Sequence, residues 1–344
     1  MPETPAIPTH SRAAVALGVA GAVLVGVLTA IQSRINSELA LNLGDGYLAA
    51  VISFGSGFVI MLIALAVWAP GRRGLKLLVV SVRERRTPWW YLIGGAAGGL
   101  FVLSQGLTGA VLGVALFTIA VVSGQTISGL LIDRRGIGAT PPAAITVTRL
   151  AGSVLALVAV AWAVSAQLVG DIPVWMLVLP FIAGICVGGQ QAVNGQVRLV
   201  SGSAMTATLG NFTVGIIVLV AACLVHESFA GWPTQLPSTP WLYLGGLIGT
   251  IFIALAATVV RTTGVLLLGL GSVAGQLITS LVLDLTLPVD GRVVAWTTIA
   301  GTLLTLVAVA IAAAPSKRLP SRKPRSRPVN APETIRARSE TPPD

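Results

Sequence analysis

Gln32-Ser33-Arg34-Ile35-Asn36 is matched 158 residues later by Gln190-Gln191-Ala192-Val193-Asn194. The same offset pairs Gly44 with Gly202, Phe54 with Phe212 and Gly57 with Gly215. Further along, an offset of 151 pairs Gly94-Gly95 with Gly245-Gly246, Phe101 with Phe252, Gly124-Gln125 with Gly275-Gln276, and Asp133 with Asp284. Arg149-Leu150-Ala151-Gly152 then aligns with Thr298-Ile299-Ala300-Gly301. Because the matches keep their order, the chain reads as an internal duplication with length changes in the loops.

Around these matches the chain is too apolar for water. Of its 344 residues 54% are hydrophobic and 10% charged, with a mean hydropathy of +0.88. An ordinary soluble domain carries roughly a quarter charged residues. A soluble globular enzyme and a disordered chain are both excluded. Crossing about 30 Å of hydrocarbon takes roughly 20 helical residues. Ten apolar runs qualify: 13–35, 47–69, 89–107, 109–132, 143–166, 173–193, 204–225, 240–260, 263–283 and 293–314. The short connections at 107–109 and 260–263 predict antiparallel neighbours. Trp68, Trp89, Trp90, Trp162, Trp175, Trp241 and Trp296 fall near the ends of these runs, where an indole suits the headgroup layer.

Five helices per half is an odd number, so the second half must sit upside down relative to the first. The expected fold is an all-α membrane protein of ten transmembrane helices built as two inverted five-helix repeats. The expected parts are an N-terminal tail at 1–12, a first repeat at 13–166, an inverted second repeat at 167–314 and a basic, disordered tail at 315–344.

The formal charge of +10 suggests a polyanion until it is located. The stretch 315–344 carries eight Lys/Arg against three acids, and 70–87, read as a loop, carries six Lys/Arg against Glu84. The remainder is neutral. With the N-terminus inside, 19 Lys/Arg fall on cytoplasmic segments and only Arg34 and Arg292 outside. Both termini are therefore placed in the cytoplasm. The expected partners are a small-molecule solute and the lipid bilayer, not nucleic acid, and a homodimer is compatible with the sequence.

At the repeat residues the chain resembles a known family. The Gln32-x-x-x-Asn36 segment closing the first run, Phe54-x-x-Gly57, the Pro88-Trp89-Trp90-Tyr91 entry and the Gly124-Gln125…Asp133 run are similar to those of YdcZ-like bacterial inner-membrane proteins. These belong to the drug/metabolite transporter superfamily, in which five-helix units and ten-helix duplications both occur. The resemblance covers about residues 13–314. It implies inverted halves around a central cavity lined by helices one, three, four and their second-half equivalents.

Polar groups inside a membrane are functional candidates by default. Gln32 and Asn36, four apart on one helix face, are expected near the outer side, and Gln190 and Asn194 near the inner side. Ser53 and Asn211 sit at similar depths in the following helices. Such paired clusters suit two gates or solute contacts, and equally suit interhelical bonding. Gln125 and Gln276, each after a glycine, are expected to line the cavity. Arg149 is either an anion ligand or a cation snorkelling to the interface. Glu38, Asp133 and Asp284 are candidate ion-coupling carboxylates, and each also reads as a helix-end residue in contact with water. The glycine clusters at 94–99 and 245–249 read as close helix packing.

These features favour a secondary transporter for a small organic solute, with export among the directions open to it, working by alternating access. The alternatives are a non-transporting scaffold or accessory subunit and, less favoured, a membrane-embedded enzyme. No catalytic constellation, nucleotide-binding G-x-x-x-x-G-K loop or metal-ligand set is evident, so no catalytic residue, cofactor or metal is expected. Cys186 and Cys223 lie in apolar runs, and the histidines are His10 and His226. Small multidrug members of the superfamily carry a deep carboxylate in helix one. This helix has none between Ala13 and Arg34, which argues against simple proton antiport. A C-terminal green-fluorescent-protein fusion is expected to fluoresce and an alkaline phosphatase fusion to be inactive; the reverse pattern overturns the orientation.

Overall fold

The structure, a computed structural model, describes residues 12–135, 146–165, 173–288 and 294–314. Both expected tails fall essentially outside these residues, as do the loops at 136–145, 166–172 and 289–293. The regular elements described are helices, as lipid requires of a chain that must satisfy its own amides. They are α1 (Arg12–Leu43), α2 (Gly46–Val67), α3 (Ala69–Arg83), α4 (Gly94–Ser104), α5 (Ala110–Leu112), α6 (Val114–Arg135), α7 (Val147–Ser165), α8 (Val174–Ser201), α9 (Ala204–Ala230), α10 (Gly245–Thr286) and α11 (Trp296–Ala313). A π turn at Gln105–Gly109 joins α4 to α5. Short 3-10 turns at Trp89–Ile93 and Pro240–Leu244 precede α4 and α10.

Among the described residues, seven helices are long and apolar enough to cross a membrane, and three shorter apolar ones accompany them. Large apolar side chains such as Ile63, Val67, Ile217, Val225 and Leu303 stand more than half exposed, a surface only lipid would tolerate.

Local chemistry repeats at the predicted offset. α1 and α8 each stop at a left-handed glycine, Gly44 (φ +69°) and Gly202 (φ +62°). α2 and α9 each start from a side-chain cap. Tyr47 and Leu48 N–H donate to Asp45 Oδ1 (2.7 and 3.0 Å), and Thr206 N–H donates to Ser203 Oγ (3.3 Å).

Four expectations need correction. α1 and α8 continue well past residues 35 and 193, so Asn36 and Asn194 lie inside helices and not at their ends. The 70–87 segment is mostly the helix α3. Its buried edge of Gly71, Gly74 and Leu78 lies against Met205, Ser203 and Thr206, while Arg72, Arg73, Lys76 and Arg83 face outward. The break between the third and fourth spans falls at Gly113 (φ +79°), not at 107–109, because only there does the backbone adopt a conformation that ends a helix.

The fourth concerns 260–263, which fall inside α10 with no separate loop between two helices. Forty-two residues in a straight helix would span about 63 Å. The packing against α1 shows that the path folds back. Gly245, Gly249 and Val259 meet Asn36, Gln32 and Gly21 in antiparallel order. Gly271 and Gly275 then meet Ala22 and Val23, and Asp284 reaches Val114 beside Gly113, near the starting level. The expected hairpin is present as a reversal of the path between Val259 and Gly271.

The halves meet through contacts that exchange under the sequence offsets. Gly124 packs on the Phe181 carbonyl and Gly275 on that of Val23; Gly26 packs on the Ser272 carbonyl and Gly184 on that of Val121. Gly57 touches the Phe212 ring and Gly215 the Phe54 ring, and those two rings touch each other at 4.8 Å. The register 54 with 215 and 57 with 212 makes α2 antiparallel to its own duplicate. The approximate twofold axis therefore runs perpendicular to the helices, which is the geometry of an inverted repeat. A side chain at Gly275 would enter the Val23 carbonyl. Gly275→Leu is expected to cost about 1–3 kcal/mol of stability, read as a lowered thermal midpoint in detergent, whereas Gly269→Ala, which faces open space, is expected to be neutral.

Candidate functional site

The first-half polar residues form one buried network. Asn36 Nδ2 donates to Gln105 Oε1 (2.7 Å), and Gln105 Nε2 donates to Ser33 Oγ (2.8 Å). Ser37 Oγ donates to the carbonyls of Ser33 (2.8 Å) and Gln105 (3.1 Å). Gln32 Nε2 crosses to the second half and donates to the Gly245 carbonyl (2.8 Å). Asn36 Oδ1 and Ser53 Oγ are buried without partners and converge on Gly245. The π turn gives the network its shape, because its wider winding carries Gln105 to α1 while Gly109 accommodates Ser37.

The duplicated residues are arranged alike but sealed differently. Asn194 and Asn211 approach Gly94, and Gln190 approaches Gly98, mirroring Asn36, Ser53 and Gln32 at Gly245 and Gly249. Yet Gln32, Asn36 and Ser53 are buried, while Gln190, Asn194 and Asn211 are half-exposed. Gln276 is likewise buried, its Nε2 unpartnered, and Gln125 is half-exposed. The network members Gln105, Ser33 and Ser37 correspond to Ala256, Gln191 and Gly195, so the amide bridge exists only once.

Depth also differs from expectation. α2 and α9 cross midway between residues 54 and 57, which leaves Ser53 and Asn211 only about 4 Å to either side of that level. Gln32 and Gln190 lie close to the middle of their helices. The two clusters therefore flank one central belt and do not stand at opposite faces.

The remaining candidates separate from this belt. Asp284, expected in contact with water, is buried and takes bonds from the N–H groups of Val114 (3.0 Å) and Ala115 (2.7 Å), capping α6 after Gly113. Glu38 pairs with Arg34 one turn earlier, and Arg34, counted as an outside residue, is itself buried. Arg149 occupies the first turn of α7, its N–H donating to Thr146 Oγ1 (3.3 Å). It lies about 10 Å along α7 from the crossing with α11. The Asp133 side chain lies outside the described residues.

Gln105 escapes a reading guided by the repeat because its counterpart is alanine. A lone amide in the apolar run 89–107 was the available signal. Asp45, His226 and Glu227, which no spacing in the sequence joins, also come together, although 181 residues separate the first two.

The family model described as "Putative inner membrane exporter, YdcZ" matches the chain twice, over residues 17–162 and 175–311. A crystal structure of another protein, 17% identical, superposes with a TM-score of 0.51 over 88% of this chain and 97% of its own, a likeness of fold alone. No curated protein matches the chain.

Gln105→Ala removes the acceptor of Asn36 and the donor to Ser33 inside the buried network. It is expected to lower stability by about 1–3 kcal/mol, whereas Asn194→Ala, at the half-exposed equivalent of Asn36, is expected to change the thermal midpoint little.

Proposed function

Since the chain belongs to the YdcZ family of multi-pass inner-membrane proteins in the drug/metabolite transporter superfamily, we propose that it is a secondary transporter exporting a small polar organic solute by alternating access. The observation that carries this reading is the unequal sealing of two equivalent polar sets around one central belt. Contacts that exchange between halves make two near-mirror conformations of similar energy available. In the conformation described, Gln32, Asn36, Ser53 and Gln105 close one side while Gln190, Asn194 and Asn211 stay half-open. With ten crossings and both termini cytoplasmic, the open side faces the cytoplasm, as an exporter waiting for its solute requires.

The belt offers amide donors, amide acceptors and hydroxyls, which suit a polar solute. Asn36 Oδ1, Ser53 Oγ and Gln276 Nε2 are buried without partners, so a solute donor or acceptor meeting them would relieve a desolvation cost. Glu38 and Asp284 already hold an ion pair and a helix cap. That engagement supports solute exchange over proton antiport.

In proteoliposomes challenged with a panel of labelled metabolites and drugs, saturable counterflow of at least one polar solute is expected. Asn36→Ala and Asn194→Ala should each lower its rate at least tenfold, while Thr286→Ala on the exposed surface should not. Flux insensitive to both asparagines would remove them from the solute path, and no flux across the panel together with co-purification of a stoichiometric partner would favour the scaffold reading.

A further inference from the structure

Where α1 hands over to α2, a cluster stands apart from the belt and takes no part in the proposed transport path. Asp45, His226 and Glu227 each present a ligand atom there, all within 4.8 Å of one another. Asp45 is 7% and Glu227 4% exposed, and the ion pairs among the described residues involve neither. Glu227 Oε1 accepts a weak bond from Cys223 Sγ (3.8 Å), whereas Oε2 is buried with no partner. Two carboxylates buried this close repel each other unless a cation lies between them or one of them takes up a proton.

The duplicated end of the molecule shows that the cap Asp45 provides does not by itself require a carboxylate. The equivalent of Asp45 is Ser203, which caps α9 as a neutral residue. His226 and Glu227 correspond to Trp68 and Ala69, so this end alone has acquired an imidazole and two carboxylates. Tyr47 stacks on His226 with ring centroids 4.3 Å apart and planes 15° from parallel, holding the imidazole in place. A groove of about 580 Å³, lined by Tyr47, Ala222, Val225, His226 and Phe229 among others, leads to the ring from outside.

We propose that Asp45, His226 and Glu227 form a binding site for a divalent transition-metal ion of the Zn²⁺ class, which staples the α1–α2 corner of the first half to the end of α9 in the second. One imidazole nitrogen and two carboxylate oxygens with an open fourth position suit such an ion. Ligand bonds of about 2.1 Å place neighbouring donors about 3.4 Å apart, a contraction that side-chain rotation supplies. Cys223, bonded to Glu227 Oε1, orients the carboxylate and leaves Oε2 for the metal.

The test uses the full chain, purified in detergent and dialysed free of metal, titrated with ZnCl₂ by calorimetry and followed by thermal unfolding. One equivalent of Zn²⁺ should bind and raise the thermal midpoint. His226→Ala, Glu227→Gln and Asp45→Ser, the last retaining a capping hydroxyl, should each weaken binding at least tenfold at unchanged helical content. Co²⁺ absorption on the wild type, showing nitrogen and oxygen ligation, reads the site even where a variant fails to fold. Absence of saturable binding, binding unaltered in folded variants, or a midpoint that responds to pH but not to Zn²⁺ overturns the proposal; the last outcome would mean that the carboxylates share a proton. Binding is read without flux, so its failure leaves the transport reading standing.

Discussion

Backbone-to-backbone approach at Gly26, Gly124, Gly184 and Gly275 is the contact on which the rest of the structure depends. Between helices in lipid there is little hydrophobic drive, because acyl chains are as apolar as leucine, so association rests on close packing and interhelical bonds. At these four positions the absence of a Cβ lets one half set its helix on a carbonyl of the other. The aromatic cluster of Phe54, Phe101, Phe117 and Phe212 fills the space this creates at the centre. A methyl group at any of the four would separate the halves and with them the polar belt, whose bonds, such as Gln32 to the Gly245 carbonyl, tolerate no such gap.

On the proposed transport reading, the belt serves two states with one arrangement. Polar side chains in hydrocarbon are costly only while unpaired. On one side the amides find each other, with Gln105 as the keystone. On the other, their duplicates remain half-exposed. In the proposed exchange Gln32, Asn36 and Ser53 would trade environments with Gln190, Asn194 and Asn211, while the Gln105 bridge, matched by Ala256, would form in one of the two states only.

Much of this was legible in the residues. The order of matches from Gln32 to Gly301 announced the duplication, and the odd helix number its inversion; the antiparallel pairing of Phe54 with Gly215 and of Gly57 with Phe212 agrees. Helix ends were less legible, because Ser37 to Leu43 is no more polar than the loop it was taken for, and only the left-handed Gly44 terminates it. Asp284 looked like a boundary carboxylate since its partners, the first amides of α6, belong to the other half and have no side-chain signature. Gln105 and the Asp45–His226–Glu227 cluster were hidden for a shared reason. Each breaks the repeat, and a search for symmetry passes over what only one half possesses.

The contact of Phe54 with its own duplicate has a consequence for how such a chain is built. A residue that touches its copy across a twofold axis is the signature of an isologous interface between identical subunits. Before fusion, every substitution in a five-helix ancestor would have appeared on both sides of the membrane at once, and a residue useful on one face had to be harmless on the other. Joining the halves in one chain removed that restriction. An amide at 105 opposite an alanine at 256, and an aspartate at 45 opposite a serine at 203, are differences that a pair of identical chains could not have kept.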